Sequence, residues 1–153
     1  MAGIQNGQIP TLANIINSYV GVLTGTTIGT LGSNSNGVTI YTAGAYGGRV
    51  YSLTGVTSSL ITVNTYIYIL RGAIVIPIGF VNIPLSSGNT FAARFNVDYL
   101  DGVNILGLPQ DNTGKRYIPL QPNDVLRATT LANIASGSAW LTAHGADYQQ
   151  ILP

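Results

Sequence analysis

Residues 60–70 read LITVNTYIYIL, and the strict alternation of this stretch decides the fold class. A period of two places one set of side chains, mostly β-branched, on one side of an extended strand and Asn and Tyr on the other, which is typical of a half-buried β-strand. Arg71-Gly72 follows as a tight turn, and residues 73–83 return as the partner strand. Pro77 has no N–H to donate, so this partner strand is expected at a sheet edge or at a bulge.

The chain continues in the same manner on both sides of this hairpin. Short β-branched and aromatic runs alternate with turns of Gly, Asn, Asp and Pro, which is the pattern of an all-β protein. About eight strands are predicted, over residues 38–42, 49–57, 60–70, 73–83, 90–97, 117–120, 125–131 and 138–146. We therefore expect an all-β fold with a single antiparallel β-sandwich, jelly-roll-like, over residues 38–153. Local pattern does not encode strand order, so an immunoglobulin-like sandwich stays open.

Residues 1–37 are predicted to form an extended N-terminal arm and linker. The segment is rich in Gly, Asn, Ser and Thr and carries no charged residue. The sequence allows a short helix over residues 11–19, whereas the glycines that follow favour an extended chain. Because such an arm cannot form its own core, we expect it to bury itself against this domain, a sister subunit or a partner. We also expect that deletion of residues 1–23 leaves the β-domain folded. The interface residues predicted in the arm are Ile4, Ile9, Leu12, Ile15 and Tyr19.

Composition excludes several classes of function. Only 7% of the residues are charged, against about 25% in an average protein, and the formal net charge is +1. So weak a field is not expected to hold nucleic acid or an anionic membrane, and no apolar run is long enough to cross a bilayer. The chain has no Cys, so it has no disulfides and no thiolate chemistry. Its start lacks the basic and apolar regions of a signal peptide, so we expect synthesis in the cytoplasm.

The sequence offers few groups for catalysis. His144 is the only histidine and no Gly-x-Ser-x-Gly elbow accompanies it, which favours a structural role. Asp98 and Asp101 are better explained as loop caps than as a glycosidase pair, because they face together only on a helical turn. Residues 111–114 predict a hairpin turn, since the closing Glu of a calcium loop is missing. Gly114-Lys115 lacks the spacing of a phosphate loop. We therefore predict no catalytic residue, no cofactor and no metal site.

The tyrosines are unusually numerous, nine against one Trp and three Phe. Tyr66 and Tyr68 lie on the polar side of the 60–70 strand, where a sugar-binding platform, a protein interface and a simple cover for the sheet are all open interpretations. A surface poor in charge suits packing between subunits, because burying it leaves few ions to desolvate. Tyr66 and Tyr68 therefore join the predicted interface residues.

Several segments resemble a known family. They are TAGAYGGRVYSL at residues 42–53, residues 70–72 and 77–79, GLPQDNTG and YIPL within residues 107–120, and AHGADY at residues 143–148. Over these residues the chain resembles the small capsid decoration, or cement, proteins of tailed bacteriophages. The resemblance implies a β-sandwich or jelly-roll subunit, often a homotrimer, that clamps the major capsid protein from outside the virion and carries no catalytic residue. It also implies structural roles for Arg49 and Asp147-Tyr148, as an ion pair or in interface hydrogen bonds.

Three functions are consistent with these observations. The leading hypothesis is a non-enzymatic structural virion protein that decorates and stabilises the outer surface of a phage capsid. The alternative is a carbohydrate- or receptor-binding β-sandwich module of a phage head fibre or tail, which depends on the tyrosines. A hydrolase built on His144 with an aspartate has the least support in the sequence.

Overall fold

The computed structural model describes residues 13–25, 37–88, 98–101, 105 and 107–149. Within them the chain forms eight strands and no helix, which confirms the predicted all-β class. The strands are Ala13–Leu23 (β1), Val38–Thr42 (β2), Gly48–Thr57 (β3), Val63–Arg71 (β4), Ile74–Ile83 (β5), Ile118–Leu120 (β6), Val125–Thr130 (β7) and Ala139–Tyr148 (β8). The strand predicted over residues 90–97 lies outside the described residues.

Two antiparallel sheets of four strands pack face to face. The first sheet has the order β1-β8-β3-β6 and the second the order β2-β7-β4-β5. The first strand therefore pairs with the last, the second with the seventh, the third with the sixth and the fourth with the fifth, which is the pairing of a jelly roll. The predicted jelly-roll-like β-sandwich is confirmed, and this order differs from that of an immunoglobulin domain.

The hairpin predicted from residues 60–83 is formed by β4 and β5. Gly72 in its turn has a φ of +58°, a left-handed conformation that glycine adopts without steric cost. A register shift lies between Ile67 and Tyr68 on β4, where Tyr68 comes to pair with Pro77. β5 is also the edge strand of its sheet. Pro77 therefore lies both at a sheet edge and next to a bulge, the two positions predicted for it.

The core lies between the two sheets and is mainly hydrophobic, with a few fully buried threonines such as Thr65 and Thr130. Each strand contributes alternate side chains to it, as the period of two requires. Fully buried members include Leu53, Ile67, Ile118, Leu126 and Leu141. The described part of the chain has no helix packed on the sandwich.

An ion pair between the partly exposed Arg71 and the buried Asp124 closes the turn before β7. Asp124 is completely buried and accepts two hydrogen bonds from the Arg71 guanidinium, at 2.9 Å from Nε and 2.7 Å from Nη2, and one from the Gln121 N–H at 2.8 Å. Burial by itself raises the pKa of Asp124, but the hydrogen bonds from Arg71 and Gln121 outweigh burial and hold that pKa below its ordinary value. Asp124 therefore ties the end of β4 to the start of β7.

Strand β1 belongs to the first sheet, which changes the interpretation of the predicted arm. Its residues pair with β8 from Ala13 opposite Tyr148 to Leu23 opposite Ala139, so the helix admitted over residues 11–19 is wrong. Leu23 is fully buried in the core, and burying a leucine contributes about 1.5–3 kcal/mol to folding. The sandwich is therefore not expected to survive removal of residues 1–23, contrary to the sequence-based expectation.

Candidate functional site

The outer face of the first sheet changes character along the strands. Residues that face each other on β1, β8 and β3 form four rows: Val22, Trp140 and Val56; Val20, Thr142 and Thr54; Ser18, His144 and Ser52; Ile16, Ala146 and Arg49. At about 3.3 Å per residue, the first row lies roughly 20 Å from the last. The face is thus apolar at one end, neutral and polar in the middle, and charged at the other end.

The apolar end has large hydrophobic side chains in solvent. We call Val20, Val22, Val56 and Trp140 the apolar patch. Val20 and Val22 are 58% and 43% exposed, and Trp140 lies between Val22 and Val56 in one row. Among the described strands, β1 is also the edge of its sheet, so its second side has no partner strand there. An apolar patch beside a sheet edge is a common arrangement at protein interfaces.

The arm residues predicted at an interface are only partly covered by the structure. Ile4, Ile9 and Leu12 lie outside the described residues. Ile15 lies in β1 opposite Asp147. Tyr19 is partly exposed, and its ring packs edge-on against the core residue Tyr41 at 5.2 Å between ring centroids. Three other hydrophobic side chains of β1, Ile16, Val20 and Val22, are exposed, and the sequence analysis did not include them in the predicted interface.

Tyr66 and Tyr68 lie on the outer side of the second sheet and outside the core cluster. They are nevertheless buried, with relative solvent exposures of 2% and 0%. Their rings stack at 5.7 Å between centroids, and Tyr66 also contacts the ring of Phe80 at 5.0 Å. Gly37 lies against the Tyr68 hydroxyl. Burial raises the pKa of both phenols. An open sugar platform at these two tyrosines is therefore not supported; they cover the sheet.

The single histidine forms a dyad with a serine across the β1–β8 pair. The Ser18 hydroxyl and His144 Nδ1 are 2.7 Å apart in the third row of the face. Asp147, three residues further along β8, does not orient this histidine, because it accepts hydrogen bonds from Asn17 Nδ2 at 2.9 Å and Tyr41 Oη at 3.0 Å. Among the described residues no carboxylate contacts this dyad, which cross-links two strands. Asp147 is a structural residue, but its partners are Asn17 and Tyr41, not Arg49.

The charged end of the face opens into two adjoining clefts. The small cleft, of about 80 Å³, is lined by Arg49, Tyr51, Asp111, Lys115 and Tyr117. The large cleft, of about 250 Å³, is lined by Asp98, Leu100, Asp101, Gln110, Gly114, Lys115 and Arg116. Lys115 lines both. The whole chain has six Lys and Arg and five Asp, and six of these side chains line the two clefts.

Two of the three aspartates at the clefts hold their own loops in place. Asp98 Oδ1 accepts the backbone N–H groups of Leu53 and Leu100, both at 3.1 Å, as predicted for a loop cap. Asp111 Oδ1 accepts Thr113 Oγ1 at 2.7 Å and the N–H groups of Thr113 and Lys115 at 2.9 Å, which confirms the predicted turn. The hydrogen bond from Thr113, followed by that from Lys115, lowers the pKa of Asp111, so this carboxylate stays ionised.

The cations of the small cleft rest on tyrosine rings. The Arg49 guanidinium lies 5.9 Å from the centre of the Tyr117 ring, and Lys115 Nζ lies 5.7 Å from the centre of the Tyr51 ring. The Tyr51 hydroxyl donates to the Gly145 carbonyl at 3.2 Å, which fixes that ring. Arg49 Nε is buried and has no hydrogen-bond acceptor among the described residues. The small cleft therefore presents positive charge on a rigid aromatic frame.

Sequence reasoning did not bring these residues together. Arg49 meets Tyr117 because β3 pairs with β6, which places Arg49 opposite Pro119. The only part of this site that the sequence indicated was the local turn at residues 111–114, which is followed by Lys115. Nothing in a single sequence fixes which strand receives that turn.

Comparison with known proteins gives no match: no family model, no curated protein and no solved structure matches this chain significantly. In the described part of the chain, no helix is long and apolar enough to span a membrane. The same residues contain no cluster of three side chains suited to hold a metal ion.

Proposed function

We propose that the chain is a non-enzymatic structural protein that decorates and stabilises the outer surface of a phage capsid, with the major capsid protein as its partner. The observation that carries the proposal is the apolar patch. Three aliphatic side chains and the single Trp lie on one exposed sheet face, and no charged residue lies in their two rows. Buried Trp surrounded by aliphatic side chains is a frequent centre of binding energy in interfaces.

The low charge of the chain supports binding by shape and apolar contact. A partner docking on the patch displaces water from hydrophobic surface and has no ion to desolvate there. The adjacent edge of β1 adds backbone N–H and C=O groups that a partner strand can pair with. The resemblance to decoration proteins supplies the identity of the partner, the site on the virion and the homotrimeric state, all of which are part of the proposal.

Co-sedimentation with capsid shells, assembled from the major capsid protein of the same genome, tests this function. We expect the double change Val20→Asp and Val22→Asp to reduce capsid binding at least 100-fold, because two carboxylates would have to be desolvated in the interface. Asn64→Asp, an exposed position on the second sheet, adds a charge without touching the patch and is expected to leave binding within twofold. Equal binding by the double variant would contradict the proposal.

Light scattering on a sizing column separates capsid contact from self-association. We expect the wild-type protein to be a trimer at both low and high salt, and the double variant to remain one. If the double variant becomes monomeric, the patch joins sister subunits and the proposed capsid contact through it is wrong.

The alternative, a carbohydrate- or receptor-binding module, loses its original support with the burial of Tyr66 and Tyr68. A different observation favours it as a second activity: the cluster of cations and tyrosines at the far end of the first sheet.

A further inference from the structure

We propose that the two clefts at the charged end of the first sheet form a binding site for an acidic saccharide, such as a uronic-acid unit of a polysaccharide. The carboxylate of the sugar would lie in the small cleft, between Arg49 and Lys115, and the sugar ring would extend into the large cleft. This site is separate from the apolar patch, and the inference does not depend on capsid binding.

The distribution of charge is the first argument. A chain with 7% charged residues keeps six of them around these clefts. Turns and loop caps account for Asp98 and Asp111. Among the described residues, Arg49 and Lys115 contact tyrosine rings, and the Asp111 carboxylate that lines the same cleft also interacts electrostatically with Arg49. The two cations outnumber this single carboxylate, so the small cleft keeps a net positive charge that a bound anion neutralises.

The unused hydrogen-bonding capacity of the small cleft is the second argument. Arg49 lines this cleft, and its guanidinium is not fully satisfied by the protein, since its buried Nε has no acceptor among the described residues. A carboxylate accepts from a guanidinium in a bidentate geometry and from an ammonium group as well. The cleft volume of about 80 Å³ gives room for a group of a few heavy atoms.

The large cleft indicates what the rest of the ligand is. Its walls carry the carboxylates of Asp98 and Asp101 and the amide of Gln110, which accept hydrogen bonds, and the cations Lys115 and Arg116. Sugar hydroxyls donate to carboxylates and amides, whereas a phosphate dianion carries twice the charge of a sugar carboxylate and is repelled more strongly by the three aspartates nearby. A saccharide that places one carboxylate in the small cleft and its hydroxyls in the large cleft complements both. An acidic monosaccharide unit has this distribution.

The frame of the site is rigid, which favours specific binding. Arg49 and Tyr51 both line the small cleft from β3, which has a register shift between Val50 and Ser52. The turn that carries Lys115 is closed by a backbone hydrogen bond from Asp111 N to Lys115 O at 2.9 Å, in addition to the side-chain bonds of Asp111. Little conformational entropy is therefore lost when a ligand binds.

Isothermal titration with the full chain tests the inference, using trigalacturonate, its neutral counterpart galactotriose, and sodium sulfate. We expect trigalacturonate to bind at least tenfold more tightly than either of the others. Arg49→Gln and Lys115→Gln should each weaken this binding at least tenfold, and Lys115→Arg should keep it within threefold. Arg127→Gln removes the same charge on the second sheet and should change binding less than twofold. Thermal melts establish that each variant is folded.

Three results would overturn the inference. Equal affinity for galactotriose would remove the role of the carboxylate, and equal affinity for sulfate would make the clefts a general anion site. Absence of trigalacturonate binding would exclude a uronic-acid site. Because the double change Val20→Asp and Val22→Asp lies two or more rows from Arg49, it should abolish capsid binding and leave trigalacturonate binding intact, so the two proposals fail separately.

Discussion

The two ends of the first sheet differ in chemistry although the same three strands build both. At one end Val22, Trp140 and Val56 form a row without charge, and roughly 20 Å away Arg49 begins a cluster of charged residues. A period-two strand fixes which side chains face outward, but it leaves their identity free. One rigid scaffold can therefore carry a contact that depends on apolar area at one end and a contact that depends on charge at the other.

The largest effect is expected from a change that lies in neither region. Asp124→Asn keeps the shape of the side chain and removes the charge that Arg71 and Gln121 bind. We expect the free energy of unfolding to fall by about 2–3 kcal/mol, because the remaining donors lose a charged acceptor in a buried position. Urea unfolding measures this loss. Asp101→Asn, which removes an exposed carboxylate, should stay within about 0.5 kcal/mol.

Measuring stability at low pH gives a second test of the contribution of Asp124. The pKa of Asp124 is held below its ordinary value of about 3.8, so the folded protein binds this proton less readily than the unfolded chain. The stabilisation is therefore complete above pH 3.8 and disappears as the pH falls through the lower folded pKa. The difference in stability between wild type and Asp124→Asn should shrink below that pH. At neutral pH the folded fraction of the variant should still bind capsid and acidic sugar with wild-type affinity. A selective loss of either affinity would contradict the independence of the two ends.

Salt should weaken binding at the charged end about tenfold and leave binding at the apolar end almost unchanged. The proposed trigalacturonate binding between Arg49 and Lys115 is an attraction between charges in an open cleft, so raising NaCl from about 0.05 to 0.5 M should weaken it roughly tenfold. Capsid binding through the apolar patch should change less than twofold over the same range, because no ion takes part in it. Parallel salt dependence of the two affinities would mean that one region serves both ligands.

Much of the fold was predictable because its determinants are local. The alternation over residues 60–70, the turn at Arg71-Gly72 and the restriction at Pro77 together specified a hairpin, its edge position and its bulge. The turn at residues 111–114 was equally local, since Asp111 bonds to residues two and four positions ahead. These features depend on backbone preferences that each residue carries with it.

The remaining features depend on pairing between distant strands. Residues 13–23 looked like part of an arm because they belong to the Gly-rich, uncharged segment 1–37, and only their pairing with β8 makes them an edge strand. Tyr66 and Tyr68 looked exposed because alternation identifies the outer side of a strand but not what covers it. The clefts required β6 to lie beside β3, a contact that no local pattern encodes. The candidate site was therefore predictable only in its turn.

The smallest effect is expected from loosening the turn below the charged end without changing its charge. Thr113→Ala removes the 2.7 Å hydrogen bond from Oγ1 to Asp111, the largest cause of the lowered pKa of that carboxyl, and leaves the backbone bonds to Asp111 in place. The pKa of Asp111 should rise toward its ordinary value, which an NMR titration of the carboxyl carbon measures. Because Lys115 is then held less firmly, trigalacturonate should bind two- to threefold more weakly, while capsid binding stays unchanged. Thr113→Ser keeps the hydroxyl and should restore both the pKa and the affinity. A risen pKa with unaltered sugar affinity would show that the firmness of this turn does not contribute to recognition.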